Sequence, residues 1–193
     1  HEWGTITSMH YHDGRVSGYM NKIRQEEVLP DFVHVLDTGF LNQFIKTPQG
    51  GGHPSVTMRL ETPVMYFYPP EGFDSSQTID VDVELHGGLI NEFYPGGETS
   101  YENIVTNERG HPNISQATVG RLSWKGIQVG SSGPGPSTDS PVWLTPRQVD
   151  AVNVKTANGE SEKYLFYRGV AHLDSLFRTK HSFEKKTMDF YNP

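Results

Sequence analysis

The chain contains no cysteine, which removes disulfide staples, thiolate zinc sites, iron–sulfur clusters and c-type haem from its chemistry. Long apolar runs are missing too. None approaches the roughly 18 residues needed to span a bilayer, and 34% hydrophobic residues with a mean hydropathy of -0.56 are not the composition of a membrane protein. Positive charge is scarce: 16 Lys and Arg stand against 23 Asp and Glu, for a formal charge of -7. No basic stripe is present to neutralise phosphates, so nucleic acid is not an expected partner. A G-x-S-x-G elbow, a phosphate loop and a dinucleotide fingerprint are all lacking, so neither Ser-His-Asp hydrolysis nor a nucleotide cofactor is expected.

What remains reads as one β-rich domain over residues 1–193. Twenty glycines and 13 prolines with 11% aromatic residues favour many turns between strands rich in Tyr and Phe. The clearest strand is Ile79, Val81, Val83 and Leu85 alternating with Asp80, Asp82 and Glu84, a half-buried pattern whose acidic face points to water or to a cation. Further strands are expected at Leu89 to Tyr94, Thr118 to Val129 with a break near Gly126, Lys163 to Val170 and Thr187 to Tyr191. Asp13-Gly14 between Thr5–His12 and Arg15–Met20 predicts an N-terminal hairpin. Thr57–Thr62 and Val64–Tyr68 read as strand on either side of Pro63, which implies an edge or a bulge.

Two segments read otherwise. Phe32, Leu36, Phe40 and Phe44 recur at every fourth position behind Pro30, which predicts a helix over Asp31–Lys46. Residues 49–54 form a glycine-rich loop, and Gly130–Pro141 reads as a flexible surface loop. The expected architecture is mainly β, a sandwich or jelly-roll-like domain with one or two short helices.

His1-Glu2-Trp3-Gly4-Thr5-Ile6-Thr7-Ser8 resembles the HEWGTFTS opening of a group of secreted bacterial proteins. Met58 to Tyr68 is similar to their METPVxYFY segment, Leu89 to Pro95 to their LITEWYP, and Tyr164 to Val170 to their FLFYRGV. The departures are Ile6 for Phe and Phe93 for Trp. This resemblance implies a secreted or periplasmic origin and carries no activity with it. Members of the group continue as β structure beyond FLFYRGV, which makes the chain an expected N-terminal part of a longer protein, with a further β segment starting near residues 180–193.

Nine histidines without cysteine leave imidazole and carboxylate as the strong metal ligands, a set suited to copper, zinc or iron. A histidine at position 1 offers its α-amine and ring nitrogen together, and one further imidazole completes the histidine brace of copper proteins. His10 and His12, two apart on a strand, are candidates for that third nitrogen, as are His53 in the glycine-rich loop and His86 beside Gly87-Gly88. Against this, a first-position histidine can mark only where the chain was processed or cut, and H-x-H on a strand is commonly a solvated face. Glu61 and Glu92 are candidates for an acid/base pair of the glycosidase kind, with ordinary hydrogen bonding or pairing to a cation such as Arg168 as the alternative. Asp80, Asp82 and Glu84 lack EF-hand spacing for calcium. Trp3, Trp124 and Trp143 are either a platform for carbohydrate or protein or simply core.

Three functions are therefore expected in order: an extracytoplasmic copper protein with oxidoreductase activity, a non-catalytic binding or structural module of the cell envelope, and a carboxylate-based hydrolase.

Overall fold

The computed structural model describes residues 2–11, 15–17, 29–36, 55–106, 108, 112–131, 133–174 and 178–191. Within them the chain runs as β1 (Glu2–His10), β2 (Val16–Ser17), β3 (His34–Val35), β4 (Met58–Met65), β5 (Thr78–His86), β6 (Gly88–Tyr94), β7 (Glu98–Glu102), β8 (Val105–Thr106) and β9 (Pro112–Asn113). It continues through β10 (Val119–Val129), the single-turn helix α1 (Pro141–Leu144), β11 (Val154–Lys155), β12 (Ser161–Glu162), β13 (Leu165–Ala171), β14 (Arg178–Ser182) and β15 (Thr187–Tyr191). The protein is mainly β and sandwich-like. No helix among the described residues is long and apolar enough to cross a membrane.

One sheet has the order β2-β1-β4-β13-β6-β3 and the second β12-β11-β10-β5, with β7 also on β10; β14–β15 and β8–β9 are separate two-stranded ribbons. All pairings are antiparallel. The alternation of β5 follows from its place in the outer layer: Ile79, Val81, Val83 and Leu85 turn toward the core while the acidic positions stay exposed. All seven residues of β6 are buried, because this strand is covered on both of its faces.

Between the sheets Ile90, Phe93 and Leu165 meet Leu122, Trp124, Ile127, Val129 and Val154. On the other face of the first sheet a second apolar layer joins Val64, Tyr66, Tyr94 and Phe166 to Val33, Trp143 and Tyr164. Fully burying each of the larger aliphatic side chains is worth about 1.5–3 kcal/mol.

The two sheets are joined at a corner made of glycine. Gly87, with φ +81°, is the one residue between β5 and β6, a backbone geometry that side chains resist. Opposite it, a Cβ on Gly120 of β10 would lie 2.8 Å from the Gly88 carbonyl oxygen and 2.9 Å from the Leu89 Cα. Backbone meets backbone there.

The expected strands are present, with instructive differences. β4 runs straight through Pro63 in the interior of the sheet, and its register shifts against both β1 and β13 around that residue; a bulge, not an edge, accommodates the missing N–H. β10 is one strand, bulged at Gly126 with φ +65°. The pairs Met9↔Ser17 and His10↔Val16 flank the Asp13-Gly14 turn, which itself lies outside the described residues, as does the loop at 49–54.

The helix expected over Asp31–Lys46 is not what its first residues form: Asp31 and Phe32 are a turn, and His34–Val35 is a strand beside Phe93 and Glu92. Phe32 packs into the layer around Trp143 and Leu36 into a separate cluster with Val56, Leu89 and Val170. Their four-residue spacing therefore serves two different apolar sites. Residues 37–46 lie outside the described residues.

Replacing Gly120 by Ala should force the sheets apart at the corner and lower the unfolding free energy by about 1–3 kcal/mol. Urea unfolding followed by tryptophan fluorescence measures this. An unchanged midpoint would mean that the sheets do not meet there.

Candidate functional site

A tightly constrained polar group among the described residues is a carboxylate that the sequence does not advertise. Glu162, at the end of β12, is 1% exposed. Its oxygens accept from Arg147 Nε at 2.9 Å and Nη2 at 2.6 Å, from the Trp143 indole N–H at 2.8 Å and from the Lys163 backbone N–H at 2.7 Å. Four donors occupy all the acceptor sites a carboxylate has, so this group is a fastening and not a base awaiting a proton.

The fastening gathers three segments. Arg147 also donates to the Pro136 carbonyl at 2.8 Å, and a Cβ on Gly135 would lie 2.8 Å from either Glu162 oxygen. Asn153 and Ser161 donate to the Gly133 carbonyl at 2.6 and 2.7 Å. The segment Gly130–Pro141, expected as a flexible loop, is thus pinned at its described residues by carbonyls that the core needs as acceptors.

Above it α1 begins at Pro141, behind Ser140, and is followed by a 3₁₀ turn at Thr145–Arg147. Proline at the first helical position is pre-set for this start. The helix presses Trp143 onto Phe166, Tyr94 and Tyr164, with ring centroids 5.1, 5.9 and 5.4 Å away.

Between α1 and the outer face of the first sheet lies a cavity of about 550 Å³, lined among others by Leu29, Val64, Tyr66, Val142, Trp143 and Phe166. The phenols on its wall are both engaged: Tyr66 donates to the Pro146 carbonyl at 2.8 Å and Tyr164 to the Trp143 carbonyl at 3.0 Å. Burial, reinforced by the Glu162 charge, pushes the Tyr164 phenol well above its ordinary value. Burial and the carboxylates Glu160 and Glu162 push Tyr94 up to about 12. Both stay protonated across the physiological range. The cavity is accordingly apolar, with its polar groups engaged elsewhere.

A second, more polar hollow of about 400 Å³ is bounded by His34, Phe93, Gly96, Ser123 and Asn158. His34 lies stacked 5.7 Å from Phe93 and pairs through Nε2 with Glu160 at 2.8 Å, while the Gly96 N–H donates to the same carboxylate at 2.5 Å.

Among the described residues, those singled out from the sequence are not brought together. His1, His12 and His53 lie outside the described residues. His10 ends β1, nine extended residues from its start at Glu2, and at about 3.3 Å per residue the two ends are some 26 Å apart. His86 sits on the second sheet, 72% exposed, with Nε2 3.3 Å from Glu84. Among the described residues no three His, Asp or Glu side chains form a metal-holding group.

Glu92 is buried and paired with Arg168, Nη1 to Oε2 at 3.1 Å. Glu61 is placed by its backbone on β4, opposite Thr5, with β13 standing between it and β6. Asp82 and Glu84 have carboxyls held below their ordinary values by hydrogen bonds from Lys125 and Arg121 respectively, so the cation on the acidic face is the protein's own. Trp124 and Trp143, 1% and 2% exposed, are core and not platform.

Glu162, Arg147 and the cavity escaped the sequence reading. One local signal was available: Asn158-Gly159 between Val154–Lys155 and Ser161–Glu162 marks the β11–β12 hairpin that carries Glu162.

No family model matches the chain, and neither a curated protein nor a solved structure matches it.

β1 makes a clear statement about any copper bound at the first residue. If the α-amine there takes Cu(II), His10→Ala should leave the affinity unchanged in a calorimetric titration, because His10 lies at the far end of the strand. A collapse of affinity in that variant would contradict the extended β1.

Proposed function

We propose that this chain is a non-catalytic binding module of the cell envelope, acting outside the cytoplasm, which holds an apolar group of its partner in the cavity beneath α1. The cavity is the observation that carries the reading. Its volume of about 550 Å³ falls within the roughly 300–1,000 Å³ of small-molecule pockets. Its walls are held in advance by the Glu162 and tyrosine hydrogen bonds, so little ordering is required when a ligand enters.

An apolar lining with no free polar anchor fits an acyl chain or an aromatic ring better than a sugar. The alternatives have less behind them. A hydrolase needs an unencumbered carboxylate, whereas Glu92 and Glu162 are each committed to an arginine. A copper oxidoreductase needs clustered imidazoles, and His10 and His86 lie on different sheets. The resemblance to secreted bacterial proteins supports the extracytoplasmic placement.

Val142 lies at the mouth of the cavity and is 47% exposed, which makes it the place to close the site without disturbing the fold. Calorimetric titration with an alkyl series and an aromatic series should find binding to the wild type, weakened at least about tenfold, or 1.4 kcal/mol, by Val142→Trp. No binding of either series to the wild type, or equal binding by both proteins, would refute the reading.

A further inference from the structure

We infer that the polar hollow beside His34 is a second binding site, for an alkylammonium group such as that of a lysine side chain. The inference does not rest on the cavity beneath α1, with which the hollow shares no lining residue.

The hollow, of about 400 Å³, lies where β3, the β6–β7 turn and the β11–β12 turn converge. Glycine lets the first of these turns come close. A Cβ on Gly96 would lie 2.8 Å from Asn158 Nδ2 and 3.0 Å from Glu160 Oε2, and one on Gly97 would lie 2.8 Å from the Ser123 carbonyl oxygen.

The donors on its wall are already engaged. His34 donates its Nε2–H to Glu160 at 2.8 Å, since a carboxylate can only accept. The Trp124 indole N–H goes to the Pro95 carbonyl at 2.7 Å, the Ser123 hydroxyl to Asp82 at 2.5 Å and the Thr156 hydroxyl to the Asn158 side-chain oxygen. Asn158 Nδ2 faces Glu160 at 3.3 Å. The Lys125 ammonium is drawn to Asp82 at 2.8 Å, with Asp80 at 3.6 Å, so its charge is balanced by the acidic face of β5.

The groups that remain are acceptors. With Nε2 carrying the proton, the neutral His34 ring keeps a lone pair on Nδ1. The Glu98 carboxylate has no hydrogen bond or ion pair among the described residues. Register sets Glu98 beside Ser123, with Asp82 on the other side of that residue, and Glu160 backs the His34 wall.

A ligand that meets acceptors with donors, among carboxylates, is a cation. An anion would face Glu98 and Glu160 at once, and a sugar hydroxyl would need donors from the wall as well as acceptors. An ammonium brings three donors and no acceptor. Its alkyl stem has apolar neighbours in Phe93, Trp124 and Ala157, which line the same hollow.

Calorimetric titration of the whole chain with N-acetyl-lysine methylamide tests this. That compound should bind, more weakly as salt is added, and its Nζ-acetylated form, which has lost the charge, should not. Glu98 is exposed, so Glu98→Lys leaves the core alone and should abolish binding. Glu98→Gln should weaken it about fivefold, the upper range for an exposed ion pair. Glu71→Lys makes the same change of net charge at an exposed position outside the hollow, and Val142→Trp closes the cavity beneath α1; both should bind like the wild type. An unchanged near-ultraviolet signal from Trp124 certifies the fold of each variant. Titration with ethanolamine separates the sources: binding at least as tight as that of the lysine compound supports the site as one for a small free amine, and weaker binding supports it as one for a polypeptide side chain. No binding of either amine to the wild type, equal binding of the Nζ-acetylated compound, a Glu98→Lys variant that binds like the wild type, or an equal loss in Glu71→Lys or Val142→Trp would each overturn the proposal.

Discussion

An ionised carboxylate removed from water has lost solvation worth several kcal/mol even after the protein relaxes around it, so Glu162 exists as it does only because four donors converge on it. Those donors come from α1, from the 3₁₀ turn and from the start of the strand connection. The direction of dependence follows from this. Removing the carboxylate leaves the Trp143 indole and a backbone N–H without an acceptor, and the Arg147 guanidinium with the Pro136 carbonyl and no counter-charge. The segment that roofs the cavity would then have little reason to stay where it is.

The same economy holds elsewhere in the sandwich. Arg168 and Glu92 pair across β13 and β6 inside the sheet, and both neighbours of β13 shift register along it. The glycine corner draws the sheets into backbone contact at one end, while α1 and the 3₁₀ turn cover the outer layer where Val64 and Phe166 lie. The cavity sits where the covering pieces are held by hydrogen bonds to carbonyls and one carboxylate and by the packing of Trp143 on its neighbouring rings. A rigid roof over an incompletely filled layer is what a preformed apolar site requires.

Much of the fold was legible because strand alternation is a local signal. Ile79 to Leu85, Leu89 to Tyr94 and the long β10 could be read from the residues alone. The helix expected over Asp31–Lys46 misled at its described residues, because Phe32 and Leu36 are spaced like one helical face yet go to two separate clusters, a choice made by tertiary packing. The candidate site was hardly legible at all. Val64, Trp143 and Phe166 come from three separated segments, and Arg147 and Glu162, 15 residues apart, carry no motif that announces their pairing. Histidine spacing was visible, and the two described candidates, His10 and His86, end up on different sheets.

The central claim, that the Glu162 carboxylate holds the binding cavity in shape, is tested most directly by the unfolding free energy of Glu162→Gln. The amide keeps the size of the side chain and an acceptor for Trp143, and loses the charge that Arg147 requires. Because Arg147 is partly accessible, at 20% exposure, the predicted loss is roughly 3 kcal/mol, at the lower end for a broken buried pair. It should come with a weakened near-ultraviolet signal from Trp143. A variant as stable as the wild type, with that signal unchanged, would contradict the account.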